Sequence, residues 1–447
     1  MSKLFGTDGI RSKVNLEPMT PDTCLKIARS AGHILSKENK INRVVISKDT
    51  RLSGYVFEPA IASGFSSIGL EVLLVGPLPT PALAMLISTL RADIGVMITA
   101  SHNTFEDNGL KIFSKNGYKI GQDLENQIEE LVFNKEKYEK INVNNITTGR
   151  TKRLEDAVGR YTESIKKSFP KDKKIENLKV VIDCANGANY KVAPDVLWEL
   201  GCDVSVIENY PDGKNINLNC GAVNPKKLVK KVIELNADIG FAFDGDGDRL
   251  IIVDEKGNII DGDKIIALLV KEFKKNKKLI GNKIVTTEMS NFGFEKYINS
   301  LNLELIRTEV GDRNVINKMR ELNANIGGEQ SGHIILSDYS KTGDGLLSTV
   351  QVLDIITSNS KKASELFDLY ESVPQILTNV KVSDKNTSFY KNTKLQRFIE
   401  EFNNGNKNLR LLVRPSGTEQ LIRILIEGND TKKLKSISKE IEDIIIK

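Results

Sequence analysis

Cysteine is scarce in this chain, and aromatic residues make up only 6% of it. The four cysteines, Cys24, Cys184, Cys202 and Cys220, lie far apart and form no CxxC pair. That spacing argues against a disulfide framework and against a cysteine-held zinc site, and makes a reducing cytoplasm the expected compartment. Long apolar runs are missing too. Nothing approaches the roughly eighteen consecutive apolar residues of a membrane-spanning helix, so no membrane partner is expected. The opening MSKLFGTDGIRS has no apolar core of the kind a secretory leader carries. Charge of one sign does not dominate either: 64 Lys and Arg stand against 59 Asp and Glu, a net +5 spread along 447 residues. No basic block is interleaved with aromatics, which argues against nucleic acid as a partner while leaving anionic small molecules favoured. The Lys-rich stretches at 166–174 and 271–278 read as solvated helix ends.

What is present is a globular composition, 40% hydrophobic and 28% charged, on a chain too long for one core. Three segments share one plan: a basic residue opens a β-branched run, a polar loop and a helix follow, and a second apolar run returns. The first begins at Arg43 (RVVISKDTR), the second at Lys179 (KVVIDCANG) and the third at Lys283 (KIVTTEMSN). Each is a βαβ signature, and their uneven spacing excludes a solenoid. The last stretch differs, with strands expected at 379–383, 410–413 and 422–427 and helices at 391–402 and 432–445. The expected domains are 1–150, 151–254 and 255–371, all α/β, followed by a small α+β domain at 372–447.

Four constellations carry chemistry. Asp244-Gly-Asp246-Gly-Asp248-Arg249 lies between two apolar strands, and three carboxylates on alternate residues repel one another unless a cation sits among them. Hard oxygen ligands of this kind suit Mg²⁺ or Ca²⁺. An EF-hand is a poor match, because Arg249 stands where the loop needs glycine and the flanks read as strands. An aspartyl-phosphate phosphatase wants Thr or Val where Asp248 stands. The second constellation, Thr99-Ala-Ser101-His102-Asn103, ends an apolar strand and delivers polar groups into a loop. Ser101 lacks the glycines of a hydrolase elbow, and a residue adjacent in sequence, such as His102, seldom points at its neighbour's hydroxyl. Ser101 therefore reads as a phosphate carrier. Lys111, one loop downstream, becomes a proton shuttle if nearby charge lowers its pKa. The third, Gly328-Glu329-Gln330-Ser331-Gly332-His333, offers polar groups suited to sugar hydroxyls. The fourth, Arg414-Pro415-Ser416-Gly417-Thr418-Glu419 with Arg423 beyond, is a phosphate cradle by composition. No Walker A pattern is present, which disfavours an ATPase. Each motif taken alone also admits an ordinary turn.

Together, FGTDGIR (5–11), TASHN (99–103), DGDGDR (244–249), GEQSGH (328–333) and RPSGTE (414–419) resemble the α-D-phosphohexomutase superfamily, in that order and over the whole chain. The resemblance implies four domains around a central cleft, three similar mixed α/β domains and a C-terminal domain like half of a TATA-box-binding protein. It implies a phosphoserine at Ser101 and Mg²⁺ held by Asp244, Asp246, Asp248 and an oxygen on Ser101. Arg11, His102, Arg249 and Lys111 would surround the moving phosphoryl, with Lys111 as general acid/base. Glu329, Ser331 and His333 would contact the sugar, and Arg414, Ser416, Gly417, Thr418 and Arg423 the phosphate that does not react. The implied reaction moves a phosphoryl between the 6 and 1 positions of a hexosamine phosphate through a 1,6-bisphosphate, with glucose or mannose phosphates as the alternative substrates. The resemblance admits a homodimer. Ser12, Thr104 and Gln420 replace a glycine and two prolines usual in the family, which touches loop stiffness more than chemistry.

Overall fold

The computed structural model describes residues 4–6, 8–36, 42–141, 148–406, 409–415 and 420–446. Its strands fall into four sheets. The first holds β1 (Ile10–Lys13), β2 (Arg43–Lys48), β3 (Glu71–Pro77), β4 (Ile94–Ile98), β5 (Asp107–Ser114) and β6 (Thr151–Arg153), in the order β1-β5-β4-β2-β3-β6. The second holds β7 (Lys179–Asp183), β8 (Asp203–Ile207), β9 (Ile239–Phe243), β10 (Leu250–Asp254) and β11 (Ile259–Ile260), in the order β11-β10-β9-β7-β8. The third holds β12 (Lys283–Thr287), β13 (Glu304–Thr308), β14 (Ile326–Gly328) and β15 (Ile334–Leu336), in the order β13-β12-β14-β15. The fourth is antiparallel: β16 (Gln375–Lys381), β18 (Leu421–Glu427) and β17 (Arg410–Pro415) side by side.

The three repeated segments form the βαβ units expected of them. In each, the basic opening residue starts a strand that pairs in parallel with the return strand: β2 with β3, β7 with β8 and β12 with β13. Helices Gly54–Ser66, Val192–Glu199 and Phe292–Ser300 make the crossovers. Strands buried on both faces explain the unbroken apolar runs, and β4 and β9 are buried along their whole length. The last sheet has three strands where three were expected, though the first runs over Gln375–Lys381 and not 379–383, with helices Thr393–Gly405 and Thr431–Ile446 packed on it. One short helix there, Lys385–Tyr390, was not expected.

One hydrophobic core runs through the first three sheets, from Val45 and Leu83 through Tyr161, Val180 and Phe241 to Ile266, Phe294 and Leu346. Helix Gly345–Thr357 is apolar nearly all round and buried in that core. Its N-cap Asp344 accepts from Leu347 N and from the Tyr161 hydroxyl, both at 2.9 Å. The fourth domain has a separate core, Val380, Leu395, Ile424, Leu434 and Ile441 among it. Polar groups fasten it to the third: Arg410 donates to the carbonyls of Glu288 and Ser290, and Glu427 accepts from Phe292 N at 3.0 Å. The four cysteines are buried and unbonded. Among the described residues no helix is long and apolar enough to cross a membrane.

Candidate active site

The DGDGDR loop connects β9 to β10 and needs its glycines. A Cβ on Gly245 would stand 2.6 Å from the Ser101 carbonyl oxygen, and Gly247 has a φ of +70°. With both glycines in place, Asp244, Asp246 and Asp248 converge, all buried, with one oxygen from each within 4.8 Å of the others. Helix Thr80–Thr89 presses its N-terminus on this loop. Thr80 donates through its backbone to the Asp246 carbonyl at 2.9 Å and through its hydroxyl to Asp246 Oδ2 at 2.5 Å. Gly345 N, opening the buried helix, binds Gly247 O at 3.1 Å.

Ser101 follows β4 and donates to Asp244 Oδ2 at 2.8 Å. Its backbone is left-handed, with φ of 51°, and this turns His102 back so that Nδ1 lies 3.4 Å from Ser101 Oγ. The adjacent histidine thus does address the serine, contrary to the expectation from adjacency. Burial, with the charges of Arg249 and Arg11, lowers the His102 pKa to about 4, so the ring is neutral at neutral pH.

Lys111 projects from β5 into the aspartates, 2.8 Å from Asp246 Oδ2, 3.2 Å from Asp248 Oδ2 and 3.3 Å from Asp8 Oδ2. Burial alone would pull its pKa down, but these three carboxylates outweigh it and raise the pKa well above the ordinary lysine value. The condition set for a proton shuttle, a pKa lowered by nearby charge, is thus not met here: the three carboxylates favour the ammonium form. Arg11 pairs with Asp8, and Arg249 Nε stands 4.0 Å from Asp244 Oδ2.

The aspartates fit a divalent cation. Asp246 Oδ1 and Asp248 Oδ1 are buried with no hydrogen-bond partner, a costly state for carboxylate oxygens unless something else coordinates them. Burial, and then the neighbouring Asp248 and Asp246, push the Asp244 pKa well up.

In the sugar loop, Glu329 accepts from Gly311 N at 3.3 Å and from Ser331 Oγ at 3.1 Å. His333 belongs to the same loop. It is buried between Asp248 and Asp312, 3.6 Å from each, and Nε2 accepts from Gly343 N at 3.1 Å. Arg414 on β17 and Arg423 on β18 are register partners and share a face of the last sheet. Arg414 Nε lies 3.4 Å from Glu288 Oε1. Ser416, Gly417 and Thr418 lie outside the described residues.

Sequence reasoning missed several groups. Asp8 sits inside FGTDGIR, yet its role in gathering Arg11, Lys111 and Lys119 depends on the fold. Lys119 continues to Asp312 at 2.5 Å, and Arg313 reaches Glu125, joining the first and third domains. No local signal marks Lys119, Asp312 or Arg313, since each looks like an ordinary surface charge.

Comparison with known proteins agrees with this arrangement. Descriptions of phosphoglucomutase/phosphomannomutase α/β/α domains I, II and III match residues 2–139, 159–257 and 261–373, and the C-terminal domain of that family matches 377–444. A phosphoglucosamine mutase of Rhizobium rhizogenes is 48% identical over 444 residues, covering 99% of this chain and 98% of the relative. One of Parvibaculum lavamentivorans is also 48% identical over 444 residues, with the same coverage. A phosphoglucomutase/phosphomannomutase family protein from Burkholderia thailandensis, solved by crystallography, shares the fold with a TM-score of 0.82 at 24% identity, covering 99% of this chain and 97% of that one. The chain belongs to the phosphoglucomutase/phosphomannomutase family, within the α-D-phosphohexomutase superfamily.

Proposed function

We propose that this chain interconverts glucosamine 6-phosphate and glucosamine 1-phosphate as a phosphoglucosamine mutase, supplying UDP-N-acetylglucosamine synthesis from the cytoplasm. The observation that carries the reading is the Ser101 hydroxyl aimed at Asp244 of the buried aspartates, with Lys111 beside them. The 48% identity to phosphoglucosamine mutases over nearly the whole chain supports the choice of sugar.

In the working enzyme Ser101 carries the phosphoryl group. The free hydroxyl of the bound sugar phosphate attacks phosphorus, the bond from phosphorus to Ser101 Oγ breaks, and the sugar leaves this step as a 1,6-bisphosphate. On balance one proton passes from the attacking hydroxyl to Ser101 Oγ, and Lys111 is assigned to relay it, giving its ammonium proton to Ser101 Oγ as the bond breaks and taking up the one the hydroxyl releases. The bisphosphate turns over in the cleft and returns its other phosphoryl to Ser101. Arg11 and Arg249 offset charge on the phosphoryl oxygens, and neutral His102 helps orient them. Asp244, Asp246, Asp248 and an oxygen on Ser101 would hold Mg²⁺, which supplies Lewis-acid stabilisation of the phosphoryl charge when bound. Glu329 and Ser331 are assigned to ring hydroxyls, with His333 acting from behind through Asp248. Arg414, Arg423 and residues 416–418 are assigned to the unreacting phosphate.

Coupled turnover of glucosamine, glucose and mannose phosphates by purified, phosphorylated enzyme tests the reading. The expected result is the highest kcat/KM on glucosamine phosphate, with measurable activity on glucose phosphate. A preference for glucose or mannose phosphate would replace it with a phosphoglucomutase/phosphomannomutase of the same mechanism.

A further inference from the structure

Ser101 occupies the left-handed region, which a residue with a Cβ enters at a cost of roughly 1–2 kcal/mol. Such a conformation persists only where the surroundings over-determine it. The two that do most of this, Arg51 and Asn217, lie outside the four constellations that carry chemistry. Arg51 is fully buried, and each of its five N–H donors has an acceptor. Nε donates to Asp49 Oδ2 at 2.8 Å. Nη1 donates to Asp107 O at 3.1 Å and to Thr104 O. Nη2 donates to Ser101 O at 2.9 Å and Asn103 O at 2.8 Å. Asp49 also accepts from Thr99 Oγ1 at 2.6 Å, and Thr99 Oγ1 in turn accepts from Ser101 N at 2.8 Å. From the second domain, Asn217 Nδ2 reaches the same two carbonyls, Ser101 O and Asn103 O, both at 2.8 Å.

We infer that Arg51 and Asn217 are positioning residues for phosphoryl transfer, clamping the carbonyls on either side of His102 so that Ser101 Oγ keeps its place after the phosphoryl leaves. This rests on the mutase reading, in which Ser101 gives up and takes back a phosphoryl within one turnover. Nothing covalent holds the serine in the interval, so the loop must be rigid without the phosphate. The demand is for geometry rather than charge. Lysine keeps the charge but offers three donors from a single point and cannot reach five acceptors.

The test compares wild type, Arg51→Lys and Asn217→Ala, each first dephosphorylated. Rephosphorylation by glucose 1,6-bisphosphate is followed by intact-mass spectrometry, and kcat and KM for glucosamine 6-phosphate are measured in parallel. Arg51→Lys is expected to slow rephosphorylation and kcat by about 100-fold, as a misplaced reacting atom does. Asn217→Ala, which leaves Arg51 in place, is expected to slow both by about tenfold. KM stays within about twofold in both, because the sugar and distal-phosphate contacts are untouched. Should Arg51→Lys fail to fold by circular dichroism, Asn217→Ala decides, since it removes the two hydrogen bonds from the second domain and leaves those of Arg51 in place. Wild-type rates in folded Asn217→Ala, or an effect confined to KM, overturn the inference. Failure of the wild type itself to take up a phosphoryl overturns the mutase reading instead.

Discussion

Ser101 Oγ and Asp244 Oδ2 lie 2.8 Å apart although 143 residues separate them in the chain and each belongs to a different sheet. The first domain closes the same site from a second side, through Thr80 on Asp246. Ser101 and the carboxylates are thus brought together by the packing of two domains and not by either domain alone. The continuous core beneath them explains how a contact of this length is held.

Ser101→Ala keeps that core and removes one hydroxyl. The protein is expected to fold with wild-type circular dichroism, to carry no phosphoryl adduct by intact mass, and to lose mutase activity by at least about a thousandfold. Turnover close to wild type, with an adduct mapped to another residue, would assign the carrier elsewhere.

Asp246→Asn removes one of three carboxylate charges while keeping the side chain's size. Mg²⁺ affinity measured by calorimetry is expected to fall by about tenfold or more, equivalent to about 1.4 kcal/mol. EDTA is expected to silence the wild type and added Mg²⁺ to restore it. Full activity in chelator contradicts the cation site.

The parts of this architecture legible in sequence are those written in short-range pattern. The three βαβ units could be read because strands buried on both faces leave unbroken β-branched runs, as at 43–48, 179–183 and 283–287. TASHN and DGDGDR could be read because polar groups at strand ends need a reason. Arg51 could not be, because DTRLSG looks like any polar loop until the carbonyls of Ser101 and Asn103 arrive beside it from β4. The charge state of Lys111 could not be read for a similar cause. The sequence shows one acidic cluster at a distance, whereas the fold surrounds the ammonium with three carboxylates, one of them Asp8 from the N-terminal motif. The approach of Asp312 to His333 is likewise announced by no motif.

Asp263 makes stability depend on pH. It is fully buried at the start of helix Gly262–Lys275 and accepts from Asn291 N at 2.7 Å, while its Oδ1 has no partner. Burial, and then the neighbouring Asp261, push its pKa up to about 7, against roughly 3.9 in the unfolded chain. The folded state therefore holds a proton that the unfolded state has released. The stability this gives is complete below about pH 4 and is lost as pH rises through 7, at about 1.4 kcal/mol per unit within that window. Asp263→Asn removes the titration, so its urea midpoint is expected to fall less than that of wild type between pH 5 and pH 8, and to be the higher of the two at pH 8. Parallel pH dependences in the two proteins would show that Asp263 is ionised throughout.

Arg414 and Glu288 give the last prediction. Their side chains stand 3.4 Å apart and both are only partly exposed. Arg414 Nη2 also lies 3.8 Å from the Met289 sulfur. A guanidinium assigned to a substrate phosphate is therefore already paired with a carboxylate before substrate arrives, and phosphate must compete with Glu288 for it. Arg414→Ala removes a charge-assisted anchor and is expected to raise KM for glucosamine 6-phosphate by about 10- to 100-fold, with a smaller effect on kcat. Glu288→Gln removes the competitor but keeps the size of the side chain, and is expected to lower KM by a few-fold. The two effects are not independent. In the double variant the Glu288 change has no guanidinium to release, so its benefit disappears and KM matches that of Arg414→Ala alone. Such a cycle separates competition from a general change in the loop, because a loop effect of Glu288→Gln would persist without Arg414. Unchanged KM in both single variants would mean that the Arg414 side chain does not meet the substrate phosphate.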